Sequence, residues 1–461
     1  MISRSYKHIL LSIFAFSFFA PLSAVPTMNS RNDPFPIYTT LDPYTFLYKR
    51  ERFIDKDGIE RQRYVPQSFY LSLSPFGQNA DTARDNFKEF IPLGDIKGRW
   101  SMLPLLFGCT PAGDTLPPVL LEAQQALYPT ITPPICDQPV DPCEQFGFFS
   151  VDSKYRKRGF RWDLNLHIMG DVGLNIQGGV SDICNTVSCV NNLTNCSDFS
   201  DENPFDRCNP ALTKENVDKY LMDKLKIISD EICLDISSYH LTTVEDLRFN
   251  LFWRHAYEGN TIIDHWPDLY VMPFAMLSGT VAIGKERDPN QLFALSHGNN
   301  DHHSISGTAG INFDFVETVE VGCEIGATHF FPRDFCCFRV PNNECQQTIF
   351  PFTTDVHISP GWNWHFAAKL GAYQFLEHLS FYFQYVIVQH QDDKICLNCC
   401  DPCFKPETLE EISTWKNQLG NIAFNYDISP HISLGFLWQA PFMQQFSFRS
   451  TTLMFSLNVF Y

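Results

Sequence analysis

Past residue 24 the sequence has no uninterrupted apolar run of the roughly 20 residues that a membrane helix needs. A helical membrane protein is therefore excluded for the mature chain. Basic residues are also scarce: 34 Lys and Arg stand against 52 Asp and Glu, a formal net charge of −18. Binding nucleic acid through its phosphates requires the opposite sign, so no nucleic-acid partner is expected. Also missing are a G-x-S-x-G elbow, an H-E-x-x-H pair, a P-loop and a G-x-G-x-x-G turn. No persuasive Ser/His pair takes their place, so neither an enzyme nor a cofactor is expected.

What the sequence does contain begins with a leader. Arg4 and Lys7 precede an apolar stretch from Ile9 to Ala20, and Leu22-Ser23-Ala24 offers a cleavage site before Val25. Residues 1–24 read as a secretory signal, and 25–64 as an N-terminal periplasmic segment. The mean hydropathy of −0.15 is that of a soluble protein, yet a β-barrel escapes this test because only alternate residues face lipid. Aromatic residues make up 15% of the chain, 42 of them Phe, which suits the outer band of a barrel or the core of a large sandwich.

Strict alternation recurs from residue 65 onward. In Phe160–Met169, Phe160, Trp162, Leu164, Leu166 and Ile168 share one face, opposite Arg161, Asp163, Asn165 and His167. Gly170-Asp171 makes a tight turn into Val172, Leu174 and Ile176. Similar runs begin near Ser68, Leu247, Asp268, Ile305, Val319, Gly361, Leu379, Asn421, His431 and Ser450. This gives about twelve strands, all of them antiparallel if the close spacing is a meander.

Loop length separates a barrel from a sandwich. If both chain ends share one side, Gly170-Asp171, Val316–Thr318, Gln374–His378 and Ser429-Pro430 all turn on that side, with Gly259–Pro267 as one longer link. Long links at 75–158, 182–246, 332–360 and 391–415 fall opposite. Short turns on one rim and long loops on the other mark a transmembrane up-and-down barrel of the Gram-negative outer membrane, embedded in its lipid.

The chain's 16 cysteines follow the same sorting. Cys109, Cys136 and Cys143 fall in the first long loop, and Cys184, Cys189, Cys196, Cys208 and Cys233 in or at the mouth of the second. Cys336, Cys337 and Cys345 fall in a later loop, and Cys396, Cys399, Cys400 and Cys403 in the next. Cys323 alone is placed inside a strand. Export favours disulfides, within the chain or to neighbours, over zinc for Cys396–Cys403, despite its C-x2-C spacing. Asn216–Ile232 and Thr115–Leu127 carry helical spacing and could constrict the lumen or lie on the surface. His297, His302 and His303 sit in a Gly/Asn-rich turn and read as solvated, not as metal ligands.

A signal peptide, an alternating barrel, a Cys-rich outer face, the strand Val319–Ala327 (VEVGCEIGA) and a C-terminal aromatic strand together resemble the cysteine-rich major outer membrane proteins of chlamydiae. The Legionella-type major outer membrane protein family is similar in style. The resemblance implies a porin for ions and small hydrophilic solutes, a homotrimer and disulfide-linked envelope partners. It also implies more than twelve strands, up to sixteen, two of which could lie within Pro75–Arg158, for instance near Arg99–Gly108. A structural or adhesive envelope protein, cross-linked through the same loops, is the other reading.

Strand parity puts Arg161, Arg248, Arg254, Lys369, Asp163, Asp314, Glu320 and Glu324 on the lumen face. With four of each sign, the set predicts either a conducting ring of charge or pairs that fill a narrow lumen. Finally, Leu453, Phe455, Leu457, Val459 and Tyr461 alternate up to an aromatic end. That pattern resembles the signal read by the barrel-assembly machinery, and it predicts closure of the last strand onto Ser68–Ser74.

Overall fold

The computed structural model describes residues 48–461 except 55–59, 67, 99, 129–146, 195–210, 212, 260–268, 316–318, 347 and 400. The signal, Cys136, Cys143, Cys196, Cys208 and Cys400 lie outside the described residues. Within the proposed periplasmic segment, Tyr48–Ile54 pairs antiparallel with Glu60–Pro66.

The alternating runs form a closed barrel of 12 antiparallel strands. In chain order they are β1 (Phe69–Ala80), β2 (Phe148–Met169), β3 (Val172–Asn192), β4 (Leu247–Arg254), β5 (Leu269–Val281) and β6 (Ser304–Phe315). They continue as β7 (Val319–Phe330), β8 (Asn363–Leu376), β9 (Leu379–His390), β10 (Trp415–Ser429), β11 (Ile432–Gln445) and β12 (Thr451–Phe460). Each pairs with the next, and β12 pairs back onto β1 from Thr451 opposite Asn79 to Phe460 opposite Tyr70. Phe69 and Tyr461 exchange both backbone hydrogen bonds at 3.0 Å, so the seam is sealed to its last residue. Closure satisfies every strand edge, which hydrocarbon demands.

Outward side chains form the lipid belt. Leu251, Leu277, Ile325, Leu370, Leu453 and Phe455 stand 44–58% exposed where a soluble protein would bury them. Trp362 and Trp364 stack near the long-loop rim, and Trp253, Tyr426 and Tyr461 ring the other, as interfacial girdles do. Turns on the terminal rim are tight: Gly170, at φ +54°, takes the left-handed conformation that β2–β3 requires.

Three expectations need correction. No strand near Arg99–Gly108 spans the membrane: Trp100–Ser101 makes a short rung on β2, and Leu103–Leu106 is a single 3-10 turn. The first two long loops are shorter than drawn, because β1 runs to Ala80, β2 begins at Phe148 and β3 runs to Asn192. The last two contain a small sheet of Arg333–Arg339, Thr353–Ser359 and Lys394–Leu397.

Those extended strand ends explain why the alternation was lost. On β2 the outward face changes from Phe160, Trp162, Leu164 and Leu166 to exposed Asp152, Lys154, Arg156 and Arg158. The inward face changes the opposite way, from Asn165, Asp163 and Arg161 to buried Tyr155, Val151 and Phe149. Beyond the bilayer the strand has water outside and a folded cap inside, so its polarity inverts.

The cap is built from the loops. Helix α1 (Pro118–Leu127) and the helical segments of Lys214–Glu231 bury Leu120, Ala123, Leu127, Val217, Leu221 and Ile228 against Trp100, Leu103 and Phe149. Leu93, Ile96, Leu295 and Phe448 pack on Tyr155 and Ile183, the inward residues at the strand tops. The helices thus pack on the inward residues at the top of β2, in the first of two neighbouring apolar clusters.

Candidate functional site

The barrel interior is the candidate site. It starts at the terminal rim with neutral groups held by short-range hydrogen bonds. Tyr70 Oη donates to Asn458 Oδ1 at 2.9 Å, and Asn458 Nδ2 donates to Ser433 Oγ at 3.1 Å. Asn250 Nδ2 donates to Asn175 Oδ1 at 2.5 Å across β3–β4. Amides and hydroxyls arise here because each barrel strand must present a polar residue inward wherever it presents an apolar one to lipid.

All eight parity-assigned charges do lie on inward positions, but they do not form one ring. Lys369 pairs with Glu320 at 2.5 Å, with Asp314 directly across from Glu320 in the β6–β7 register. Gly322, directly across from Lys369 on β7, leaves room for this packing: a Cβ there would strike Asn312 Oδ1 at 2.0 Å. Asp163 lies directly across from Gln177 in the β2–β3 register, and Arg254 Nη2 contacts Met272 Sδ at 2.7 Å. Glu324 accepts from Gln384 Nε2 at 3.5 Å, and Gln384 Oε1 accepts from Asn421 Nδ2 at 3.0 Å.

Arg161 takes a partner that parity missed. Glu245, in the short connection before β4, accepts from Arg161 Nε at 2.5 Å and Nη2 at 3.0 Å, and pairs with Lys157 at 2.8 Å. Arg161 also covers the Phe76 ring at 4.3 Å. Burial alone would raise the Glu245 carboxyl, but Arg161 and Lys157 overcome it and hold the group well below the usual carboxylate range. Lys157 had a sequence signal, the inward parity of Arg161 continued four residues upstream. Glu245 had none, since it sits outside any periodic run.

Water reaches the interior unevenly. On β1, β9 and β12, and from Ser433 to Gln439 of β11, the inward positions are buried, in part by apolar packing of Phe76, Tyr382, Ala423, Leu437 and Met454. On the β2–β8 side, Arg161, Gln177, Arg248, Glu324 and His365 keep partial exposure. Asp163, Arg254, Asp314, Glu320 and Lys369 are buried. The open side therefore carries two guanidinium groups, Arg161 and Arg248, and two carboxylates, Glu324 and the Glu245 that pairs with Arg161.

Among the described residues the cysteines fall into two groups. Cys109 and Cys403 form a disulfide, tying the first long loop to the last across 294 residues, and Cys345 is also disulfide-bonded. Cys184, Cys189, Cys336, Cys337, Cys396 and Cys399 are free thiols, as are Cys233 and Cys323. Several of these lie in strands, not loops: Cys184 and Cys189 on β3, Cys336, Cys337 and Cys396 in the small sheet. Strands in a sheet hold their residues in fixed register, which keeps most of these thiols apart. No group of three or more Cys, His, Asp or Glu is placed to hold a metal among the described residues. His297 bonds the Lys285 carbonyl, His302 bonds the Phe331 carbonyl, and His303 accepts from the Ala282 N–H. These imidazoles are loop braces.

No protein-family model matches the sequence, and no curated protein is significantly similar to it. Among solved structures the chain is similar to an outer membrane channel from Pseudomonas putida F1, at 8% identity and a TM-score of 0.45, covering 86% of this chain and 97% of that one. It is similar to the transport unit of the autotransporter AIDA-I from Escherichia coli, at 9% identity and a TM-score of 0.35, covering 86% and 90%. OprD of Pseudomonas aeruginosa covers 95% of this chain and 99% of its own at 7% identity, with a TM-score of 0.27. A closed barrel with an apolar belt outside and polar residues within belongs in the outer membrane of a Gram-negative bacterium, and this chain is such a barrel.

Proposed function

We propose that the protein is a narrow outer-membrane channel for ions and small hydrophilic solutes, with its path displaced toward the β2–β8 wall. The carrying observation is the uneven wetting of the lumen: a polar strip with Arg161, Arg248 and Glu324 stays accessible while the opposite wall is packed. Glu245 and the cap restrict this strip from the long-loop side, so the resting conductance is small. Arg161 and Arg248 against Glu245 and Glu324 balance in sign, so the strip admits small solutes of either charge. Refolded protein in planar bilayers should show small steps that grow when Lys214–Glu231 is deleted. Membranes that stay closed for both proteins at every voltage would sink this reading.

A structural role has its own support. Cys336, Cys337, Cys396 and Cys399 are exposed thiols on or beside the small outer sheet, available to other chains. In that reading the protein is an envelope scaffold, and the resemblance to the chlamydial proteins adds a homotrimer. Non-reducing gels of intact envelopes should then show large species that collapse with reductant. The terminal Leu453–Tyr461 pattern supports recognition by the barrel-assembly machinery in either case.

A further inference from the structure

Four of the five residues 154–158 are basic, in a chain whose net charge is −18. The β2 strand divides them by parity. Lys157 turns inward and is spent on Glu245, whereas Lys154, Arg156 and Arg158 all point outward and are exposed. They form no ion pair among the described residues. The nearest carboxylates are engaged elsewhere: Asp182 holds His240 at 2.8 Å and Thr242 Oγ1 at 2.9 Å, and Asp152 accepts from Asn191 at 3.3 Å.

Their place in the fold gives the ladder its meaning. It begins directly above Phe160, the last outward apolar residue of β2, and so stands at headgroup level on the long-loop rim. Two strands away, Arg449 continues the outward face of β12 above Leu453, and its guanidinium lies 5.1 Å from the Phe90 ring. Arg84 lies 4.2 Å from the same ring, and Phe90 is 57% exposed. Cationic and aromatic side chains side by side at the edge of an apolar belt suit a lipid whose headgroup carries phosphate.

We infer that Lys154, Arg156 and Arg158, flanked by Arg449, form a binding site for a phosphorylated glycolipid of the outer leaflet. The ladder holds the phosphate, and the belt below it receives the acyl chains. Residues two apart on a strand stand about 7 Å apart, so three of them present a row of donors long enough to span more than one phosphate. This site needs no open lumen and stands apart from the channel reading.

The test uses the full refolded chain in detergent, with diphosphorylated lipid A as probe and native mass spectrometry or tryptophan quenching as readout. At about fivefold in affinity for each basic residue, the triple variant Lys154→Gln/Arg156→Gln/Arg158→Gln should bind about a hundredfold more weakly. Lys226→Gln, which removes an exposed basic residue of the cap, should bind as the wild type does. Heat-modifiable gel migration checks folding, and Arg156→Gln alone replaces the triple variant if that fails to fold. Unchanged binding by the folded variants would overturn the site. So would equal binding of dephosphorylated lipid A, or full competition by millimolar inorganic phosphate, which would make it a simple anion site.

Discussion

The two halves of β2 obey opposite rules. From Phe160 to Ile168 the apolar residues face out and the polar ones in, whereas from Phe149 to Arg158 the charges other than Lys157 face out and the rings in. The register with β3 runs unbroken from Ser153 to His167, straight through the change of rule, so there only the solvent on each side has changed. A β-strand has no preference of its own for which face is apolar. It records its surroundings residue by residue, and here it records the edge of the bilayer between Arg158 and Phe160.

The largest effect should come from breaking closure in the membrane half. Deleting Phe460-Tyr461, or appending a charged tail, should abolish heat-modifiable migration on cold gels, while Phe436→Ala leaves it intact. A normally inserted truncated protein would refute the sealing role. Next comes the buried pair. Lys369→Ala strands the Glu320 carboxylate inside and should cost about 3–5 kcal/mol, while replacing both partners with apolar residues recovers most of that. Urea unfolding in detergent micelles would read both.

The comparison along β2 can be sharpened directly. Leu164→Arg puts a charge on the lipid face and should cost about 2–4 kcal/mol, whereas Arg156→Leu should leave folding stability nearly unchanged. Equal costs would place the bilayer edge elsewhere. In the cap, Leu120→Ala should cost about 2–3 kcal/mol, read as faster proteolysis of the loops with barrel migration unchanged. The smallest effect is electrostatic. Because the folded Glu245 carboxyl is held below its unfolded value, its contribution is full above that value and fades as pH falls below it. Glu245→Gln should remove this acid-range loosening of the cap, measured by hydrogen exchange of the residue-245 amide, which donates to the Gly179 carbonyl.

Within the bilayer the fold was legible in the sequence because one solvent boundary governed every strand. All twelve alternating runs became strands, and Arg161 through Lys369 faced inward as parity required. Outside the bilayer that boundary reverses, so Tyr155 and Lys157 looked like loop residues. The cap core was hidden for the same reason: Trp100, Leu120 and Leu221 have no common period and meet only in three dimensions. Disulfide partners were illegible because pairing depends on distance, and Cys109 meets Cys403 only after the loops have folded together.

The seam between β1 and β12 also sets a timetable. Tyr70 and Asn458 touch across a sequence separation of 388 residues, and Phe69 and Tyr461 bond across more, so the seam holds the most non-local bonds among the described residues of the barrel. Contacts of that span form late, after the entropy of the intervening chain has been surrendered. A ribosome still making β12 leaves β1 with an unpaired edge, and export delivers the first strand long before the last. Until β12 is in place, β1 therefore keeps an open edge, and that edge is a template for self-association for as long as the ring stays unclosed.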